Sequence, residues 1–197
     1  MSRICTICAR GGSKGVPGKN TALLEGLPVI AHSIVQARHS DLFEGIALSS
    51  DSDEILSVGE EYGVDWLIER PAEMATDTAG KLPAIRHCLM AAEEKAGKTF
   101  DMLVDLDATS PLRLIEDIHG AVEMAESTGV TNVITGAPSR RSPYFNLVEE
   151  DLEGRVDVSK ALDTPVLRRQ DAPVCYDMNA SIYVWRRDTF VEDPRLF

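Results

Sequence analysis

Two hydrophobic patterns alternate along most of the chain, and together they predict an alternation of strands and helices. Short apolar runs bounded by polar or glycine residues are typical of buried strands. Such runs occupy residues 4–9, 46–49, 64–68, 102–106, 130–135 and 181–185. Apolar residues that recur every three or four positions indicate helices. This spacing begins near residue 28 and covers residues 30–37, 52–61, 82–92 and 115–125.

The order of these elements predicts an α/β fold with a mostly parallel sheet and helices on both of its faces. Parallel strands need crossover connections, which are usually helices. We expect one domain that spans residues 1–197. Because ligands bind beyond the carboxyl ends of the strands in such folds, a site is expected after Ala9, Ser49, Ile68 and Leu106.

The pattern changes after about Ser139, where the sequence becomes rich in turns and contains Arg and Lys. Helical periodicity is lost, and short extended pieces are predicted at residues 144–148 and 156–158. The segment 139–166 is therefore an arm that packs on another subunit, a lid over a site, or a set of plain surface loops.

The composition is that of a folded protein, and the charge excludes two classes of partner. Hydrophobic residues make up 44% of the chain and charged residues 26%, which is typical of a packed globular domain. The net charge of −12 repels nucleic acid polymers and anionic membranes. No apolar run approaches the roughly 18 residues of a membrane span, and residues 4–9 are too short for a signal peptide core. We expect a cytoplasmic protein.

The chain contains four cysteines, which are Cys5, Cys8, Cys88 and Cys175. The spacing of Cys5 and Cys8 matches half of a zinc motif. Both lie in a predicted strand, however, where residues three apart point to opposite faces. We therefore expect reduced thiols in the core.

Residues 9–20, with the sequence ARGGSKGVPGKN, carry the strongest chemical signal and follow the first predicted strand directly. Glycines let backbone N–H groups turn towards phosphate oxygens, and Arg10, Lys14 and Lys19 add positive charge. The sequence is neither a Walker loop nor the G-x-G-x-x-G of dinucleotide folds. In an acidic protein it predicts a local phosphate site, with a mobile surface loop as the alternative.

This loop resembles the signature of the acylneuraminate (CMP-sialic acid and CMP-legionaminic acid) cytidylyltransferase family. The family signature is Ala-Arg-Gly-Gly-Ser-Lys-Gly, followed after three residues by Lys-Asn, and Cys8 stands where proline is often found. Other stretches resemble the family in the same order: SDSDEI at 50–55, Arg70-Pro71 with Asp77, TSPLR at 109–113, RRQD at 168–171 with Pro173, and YDMNASIY at 176–183. The resemblance covers residues 4 to about 190.

The resemblance implies a Rossmann-like nucleotide-diphospho-sugar transferase fold and a homodimer in which a protruding arm contributes to the neighbour's active site. Segment 139–166 fits that arm. The implied reaction transfers CMP from CTP to the anomeric hydroxyl of a nonulosonic acid and releases pyrophosphate. The implied cofactor is Mg²⁺, with Mn²⁺ as an alternative.

The resemblance also implies roles for individual residues. The cations Arg10, Lys14 and Lys19 would be catalytic and, with Ser13, would hold the triphosphate. The other implied nucleotide-binding residues are Gly11 and Gly12, in the same loop, and Asn20 and Arg70, which would address the cytidine half. The implied sugar-binding residues are Asp107, Thr109, Ser110, Arg168, Gln170 and Asn179.

Asp107 departs from the family pattern, in which this position is commonly glutamine. Asp105 lies two residues earlier, so both carboxylates are expected on one face at the end of a strand, although Asp105 could also be an ordinary solvated residue. A carboxylate here could bind Mg²⁺ or accept hydrogen bonds from sugar hydroxyl or amino substituents. Asn-Ala-Ser at 179–181 likewise replaces the usual Asn-Gly-Ala. Both changes suggest a diacetamido sugar such as legionaminic acid as readily as sialic acid.

A second departure concerns the metal site. Relatives carry an acidic metal-binding pair after the last strand, and this chain reaches Phe197 before any such pair. We expect an incomplete site, either because the chain is shortened or because Asp107 and the phosphates recruit the ion. The general base is not identified, since none of the four histidines falls in a motif.

Two alternatives to this function stay open. One is a cytidylyltransferase for the eight-carbon sugar KDO, whose loop would lack Gly11, Gly12 and Lys14. The other is a non-catalytic module that binds sugar nucleotides.

Overall fold

The computed structural model describes residues 1–12 and 15–197, so Ser13 and Lys14 lie outside the described residues. The chain divides into two compact units. The first unit comprises Met1–Thr135 and Ala180–Phe197, and the second comprises Gly136–Asn179. The predicted arm, residues 139–166, falls within the second unit.

The helices and strands follow the predicted order closely. In chain order they are β1 Arg3–Cys8, β2 Leu23–Leu24, β3 Leu27–Pro28, α1 Val29–His39, β4 Gly45–Ser50, α2 Asp53–Glu61, β5 Trp66–Glu69, α3 Lys81–Ala96, β6 Met102–Leu106, α4 Ile115–Thr128, β7 Asn132–Pro138, β8 Val148–Glu150, β9 Val156–Val158, β10 Tyr176–Arg186 and α5 Arg187–Glu192. Short 3-10 turns lie at Ala72–Met74 and Arg169–Asp171.

The central sheet has six strands in the order β5-β4-β1-β6-β10-β7. The four strands from β5 to β6 are parallel, which confirms the predicted parallel sheet. Strand β10 is antiparallel to β6, with Ile182 opposite Leu106. A strand at residues 181–185 was predicted from its apolar run, but its antiparallel insertion beside β6 was not.

Helices cover both faces of the sheet, as predicted. One core cluster contains Cys5 and Ile7 of β1 with apolar residues of α1, α2 and α4. The other cluster contains Ile4 of β1 with apolar residues of α3 and α5. Alternate residues of β1 thus face opposite layers, because successive side chains of a strand point to opposite sides. Among the described residues, no helix is long and apolar enough to cross a membrane.

Two local predictions were wrong. Residues 144–147 do not form an extended piece, because the backbone N–H groups of Phe145, Asn146 and Leu147 all donate to the carbonyl of Ser142 and make a turn. Cys175 is not a core thiol, since it is only partly buried and lies in the second unit. Cys5 and Cys88 are buried, as predicted, whereas Cys8 is only partly buried, although it packs against the core.

The parallel strands bring the candidate residues of the first unit to one edge of the sheet. Loop 9–20 follows β1, Asp51 follows β4, Arg70 follows β5 and Asp107 follows β6. Because β4, β1 and β6 are neighbours and run in the same direction, their carboxyl ends lie side by side.

Candidate active site

Arg10 begins the loop after β1 and is held by the segment that follows β5. Its Nη1 donates to the carbonyl of Thr76 at 3.1 Å and to the carboxylate of Asp77 at 2.9 Å. The side chain keeps 37% of its surface exposed. The guanidinium is therefore oriented by protein contacts while part of it stays accessible.

Gly11 is packed against the residues that follow β4. A Cβ atom at this position would lie 2.9 Å from Cβ of Ser52, so the close approach requires glycine. The N–H of Gly11 donates to Asp51 at 2.8 Å, so in this structure it is occupied by a carboxylate. Gly12 and Lys19 lie exposed in the same loop, and the roles expected for Ser13 and Lys14 fall outside the described residues.

Asn20 closes the base of the loop. Its Nδ2 donates to the carbonyl of Arg10 at 3.0 Å, so a hydrogen bond joins the end of the loop to its beginning. The residue is only 6% exposed, and its Oδ1 is buried without a hydrogen-bond partner among the described residues. A buried acceptor of this kind costs free energy unless a donor arrives. Asn20 thus combines a structural contact with an acceptor that a ligand could satisfy.

Arg70 is buried at the end of β5 and contacts the neighbouring strand. Its Nη2 donates to the carbonyl of Ser49 at 3.0 Å and its Nε to the Ser49 hydroxyl at 3.2 Å. Beside it lies an open cavity of about 580 Å³. The cavity is lined by Asp51, Glu69, Arg70, Pro71, Ala72, Ala75 and Thr76. Arg70 therefore faces a space large enough for a small organic group.

A cluster of charged side chains lies at the end of β6. The ammonium of Lys81, the first residue of α3, lies 3.1 Å from Oδ2 of Asp105 and 3.2 Å from Oδ2 of Asp107. Asp105 also accepts a hydrogen bond from the Thr6 hydroxyl at 2.9 Å. The Asp105 side chain is 1% exposed, so the reading of this residue as a solvated strand position is wrong.

Asp107 is fixed from two sides but reaches the surface. Its Oδ1 accepts hydrogen bonds from the backbone N–H and the hydroxyl of Thr109, at 2.9 and 2.7 Å. Its Oδ2 faces Lys81. The side chain is 26% exposed, in contrast to Asp105. Asp107 is therefore an oriented carboxylate with one side open to solvent.

The pKa values in this cluster are shifted by burial and by the ion pairs. Burial raises the pKa of Asp105, although Lys81 and Thr6 oppose the shift. Burial would also raise the pKa of Asp107, but Lys81 and Thr109 hold it below its usual value. Burial would lower the pKa of Lys81, but the two carboxylates outweigh burial and raise it. Lys81 is charged and Asp107 ionised at neutral pH.

The carboxylate pair does not fit a divalent ion placed between its two members. Lys81 occupies the position from which a cation would reach Oδ2 of both Asp105 and Asp107. The described residues also contain no group of three or more His, Cys, Asp or Glu side chains that could hold a metal ion. The arrangement instead makes Asp107 a hydrogen-bond acceptor.

Thr109 and Ser110 lie in the segment after Asp107, and Thr109 donates hydrogen bonds to the Asp107 carboxylate as described above.

Arg113, in the same stretch, is a buried structural residue, only 8% exposed. Its guanidinium bonds to Ser33 Oγ, Gln36 Oε1, the Asp107 carbonyl, and the hydroxyl and carbonyl of Ser181. These contacts join α1 and β10 to the segment after β6.

The other candidate sugar-binding residues belong to the second unit. Arg168 is exposed and makes a two-point ion pair with Asp171, at 2.7 and 3.0 Å. Gln170 lies in the following 3-10 turn, and Asn179 is the last residue of this unit. All three are exposed.

Lys81 was missed by the sequence analysis, although a signal for it exists. A lysine at the first position of a helix is disfavoured by the positive end of the helix dipole. Its presence there is therefore a hint of nearby negative charge. The position of that charge, 26 residues away at Asp107, cannot be read from local sequence.

The α/β sheet and the site at its carboxyl edge define a protein with a nucleotidyltransferase fold. The structure is similar to that of a CMP:2-keto-3-deoxy-manno-octonic acid synthetase complexed with CTP, with a TM-score of 0.69 over 99% of this chain and 79% of that one. At 17% identity the likeness concerns the fold alone.

Within that class, the chain belongs to the cytidylyltransferase family, whose profile matches residues 4–193. It is 47% identical to the CMP-N,N′-diacetyllegionaminic acid synthase of Campylobacter jejuni, over 98% of this chain and 81% of the relative. It is 46% identical to the post-translational flagellin modification protein B of Campylobacter coli, over 100% of this chain and 83% of the relative. These matches confirm the family resemblance that the loop at residues 9–20 and the five later stretches indicated.

Proposed function

We propose that this protein transfers CMP from CTP to a nonulosonic acid of the N,N′-diacetyllegionaminic type. The observation that carries the proposal is the oriented Asp107 carboxylate at the edge of the sheet, in a chain that is 47% identical to a CMP-N,N′-diacetyllegionaminic acid synthase over 98% of its residues. The anomeric hydroxyl attacks the α-phosphorus of CTP, the new P–O bond forms as the bond to the β-phosphate oxygen breaks, and pyrophosphate and a proton are released.

The loop after β1 serves the nucleotide in this proposal. Arg10, oriented by Thr76 and Asp77, and the exposed Lys19 neutralise the charge of the triphosphate. Preorganised charge of this kind supplies most of the catalysis in phosphoryl-group transfer. Asn20 and Arg70 address the cytidine half, for which the cavity beside Arg70 offers space. Ser13 and Lys14 would add to the triphosphate contacts.

The segment after β6 serves the sugar. An ionised carboxylate only accepts hydrogen bonds, so Asp107 favours the N–H groups of acetamido substituents and disfavours the sugar's own carboxylate. A diacetamido sugar offers such a donor twice. In the second unit, sugar-binding roles for Arg168, Gln170 and Asn179 stay predictions, and the planar cation of Arg168 is of a type suited to carboxylates.

The metal in this proposal arrives with the donor nucleotide. Because Lys81 already lies between Asp105 and Asp107, Mg²⁺ or Mn²⁺ would enter as a complex with CTP, whose phosphate oxygens are its ligands. The substrate CTP is a cytoplasmic metabolite, so we place the reaction in the cytoplasm. The net charge of −12 also argues against nucleic acid polymers and anionic membranes as partners.

Pyrophosphate release tests the proposal directly. The protein is incubated with CTP, Mg²⁺ and one acceptor at a time: N,N′-diacetyllegionaminic, sialic, pseudaminic or KDO acid. We expect the highest kcat/KM with N,N′-diacetyllegionaminic acid. Preference for KDO would support the eight-carbon alternative, and CTP binding without pyrophosphate release from any acceptor would support a non-catalytic module.

A further inference from the structure

The proposed function gives Lys81 no contact with a substrate, yet its ammonium pairs with two carboxylates of the site. We propose that Lys81 is a positioning residue that fixes the Asp107 carboxylate for recognition of the acceptor sugar. This inference rests on the proposed function, because it assumes that Asp107 contacts the sugar.

The ammonium of Lys81 is held on three sides. It lies 3.1 Å from Asp105, 3.2 Å from Asp107 and 4.1 Å from the ring centre of Tyr183. The cation is thus attracted both to the carboxylates and to the face of an aromatic ring. A lysine side chain is otherwise flexible, so these contacts restrict the Lys81 ammonium to one position.

Asp105 anchors the arrangement to the core. It lies within β6, its side chain is 1% exposed, and it accepts a hydrogen bond from the hydroxyl of Thr6 in the neighbouring strand β1. A buried carboxylate of this kind needs a partner charge, which Lys81 supplies. Asp105 therefore holds Lys81, and Lys81 in turn holds Asp107.

Asp107 is the outer member of this chain of contacts. Lys81 engages Oδ2 and Thr109 engages Oδ1, so both oxygens are oriented. Each carboxylate oxygen can accept more than one hydrogen bond, and the side chain is 26% exposed. The remaining acceptor capacity can therefore meet a sugar N–H or O–H group in a defined direction.

The charges explain why a lysine is needed here. Two carboxylates close together disfavour each other's ionised form. With Lys81 present, the ammonium holds the pKa of Asp107 below its usual value, so Asp107 stays an acceptor at neutral pH. Without it, the pair would share a proton or recruit another cation, and the direction of the Asp107 oxygens would no longer be fixed.

The test compares Lys81→Met and Lys81→Arg with the wild-type protein, and measures KM for the best acceptor sugar, KM for CTP, and kcat. We expect Lys81→Met to raise the sugar KM by about tenfold or more, since a hydrogen bond to a charged group is lost or misdirected. The KM for CTP should stay within about twofold of the wild-type value. Lys81→Arg, which keeps the charge, should recover part of the loss.

Lys98→Met is the matched control. Lys98 also pairs with a carboxylate, Glu44, and its ammonium lies 5.2 Å from the ring centre of Phe100. Its carboxylate and its ring lie away from the carboxyl edge of the sheet, so both KM values should remain those of the wild type.

A double-mutant cycle with Asp107→Gln separates positioning from general damage. If Lys81 acts through Asp107, the double variant should lose no more sugar affinity than Asp107→Gln alone. If Lys81→Met folds poorly, the double variant Lys81→Met with Asp105→Asn is used instead, because it removes one charge of each sign. Urea unfolding then checks that this variant is folded.

The outcomes distinguish this inference from the proposed function. If the wild-type protein uses no nonulosonic acid, the proposed function fails and this inference falls with it. If the wild type is active and Asp107→Gln raises the sugar KM but Lys81→Met does not, only the role of Lys81 is overturned. Equal losses for sugar and CTP, or additive losses in the cycle, would also overturn it.

Discussion

At the scale of single residues, the cations of the loop after β1 differ in how they are held. Arg10 is fixed by Thr76 and Asp77, whereas Lys19 lies exposed at the end of the loop. A fixed guanidinium is ready for its ligand, while an exposed ammonium must be ordered by it. In the proposed function, both would contribute the positive charge that an acidic protein needs to hold a triphosphate.

We expect Arg10→Ala and Lys19→Ala each to lower CTP turnover by at least about a hundredfold. Removal of one preorganised charge or donor typically costs about 2.7–4 kcal/mol of transition-state stabilisation. Pyrophosphate release at saturating sugar measures the effect. Arg38→Ala is the control, since Arg38 pairs with Asp65 at the opposite edge of the sheet and should leave turnover unchanged. Near-normal rates for both loop variants would contradict the assignment of the loop.

Arg113 shows that a motif residue can serve the fold rather than the ligand. It lies in the TSPLR stretch that resembles the family, but its guanidinium is buried among Ser33, Gln36 and Ser181. Burial lowers its pKa, against the opposing effect of nearby acidic groups. Its hydrogen bonds offset the cost of burying a charge.

Arg113→Met should therefore destabilise the protein by about 2–4 kcal/mol, because it leaves several buried acceptors without a donor. Urea unfolding followed by circular dichroism measures the change. Arg195→Met is the control: the Arg195 side chain is 72% exposed and pairs with Asp193 at the surface, outside the predicted arm, so a change within about 0.5 kcal/mol is expected. A similar stability for the two variants would show that the buried contacts of Arg113 are dispensable.

At the scale of elements, two glycines within helices have opposite reasons for being there. Gly59 of α2 packs against the sheet, where a Cβ atom would overlap Cδ2 of Leu48 and lie 2.8 Å from Cδ2 of Leu67. Gly120 of α4 is exposed, and its added Cβ would meet no described atom within 4 Å. The first glycine permits close helix packing, and the second only weakens its helix.

Alanine at these two positions should change stability in opposite directions. Gly59→Ala is expected to destabilise the protein by about 1 kcal/mol or more, because overpacking outweighs the gain in helix propensity. Gly120→Ala should stabilise it by up to about 1 kcal/mol. The comparison of urea midpoints at constant m-value is the measurement. If Gly59→Ala were as stable as Gly120→Ala, the close packing of α2 would be refuted.

At the scale of the whole molecule, the second unit exposes an unusual number of large apolar side chains. Within the predicted arm, five apolar side chains are more than two-fifths exposed: Leu147, Val148, Leu152, Val156 and Leu162. The hairpin of β8 and β9 lies in this unit, within the predicted arm. Exposed apolar surface of this extent is typical of interfaces.

We predict a two-fold dimer joined through residues around 140–165. Burial of apolar side chains from both copies would supply the stabilisation. Light scattering at micromolar concentration should give twice the chain mass of 21.5 kDa. Leu147→Glu should shift the protein towards monomer, whereas Met124→Glu, at an exposed site on α4, should not. A monomeric wild-type protein would contradict the prediction.

The sequence by itself determined the order of the elements and the location of the residues proposed for the nucleotide. Hydrophobic periodicity is a local property, so the order of strands and helices and the parallel sheet could be predicted. The loop at residues 9–20 could be identified because glycines and cations next to a strand form a contiguous signal. The positions of Arg10, Asn20 and Arg70 at one edge followed from the direction of parallel strands.

Only the tertiary structure decided the contacts that join distant parts of the chain. The antiparallel insertion of β10 beside β6 is what brings Ser181 to Arg113 and Tyr183 to Lys81. The pairing of Lys81 with Asp105 likewise depends on how α3 packs across the sheet. Such contacts depend on strand register and helix packing between residues far apart, which no local pattern encodes.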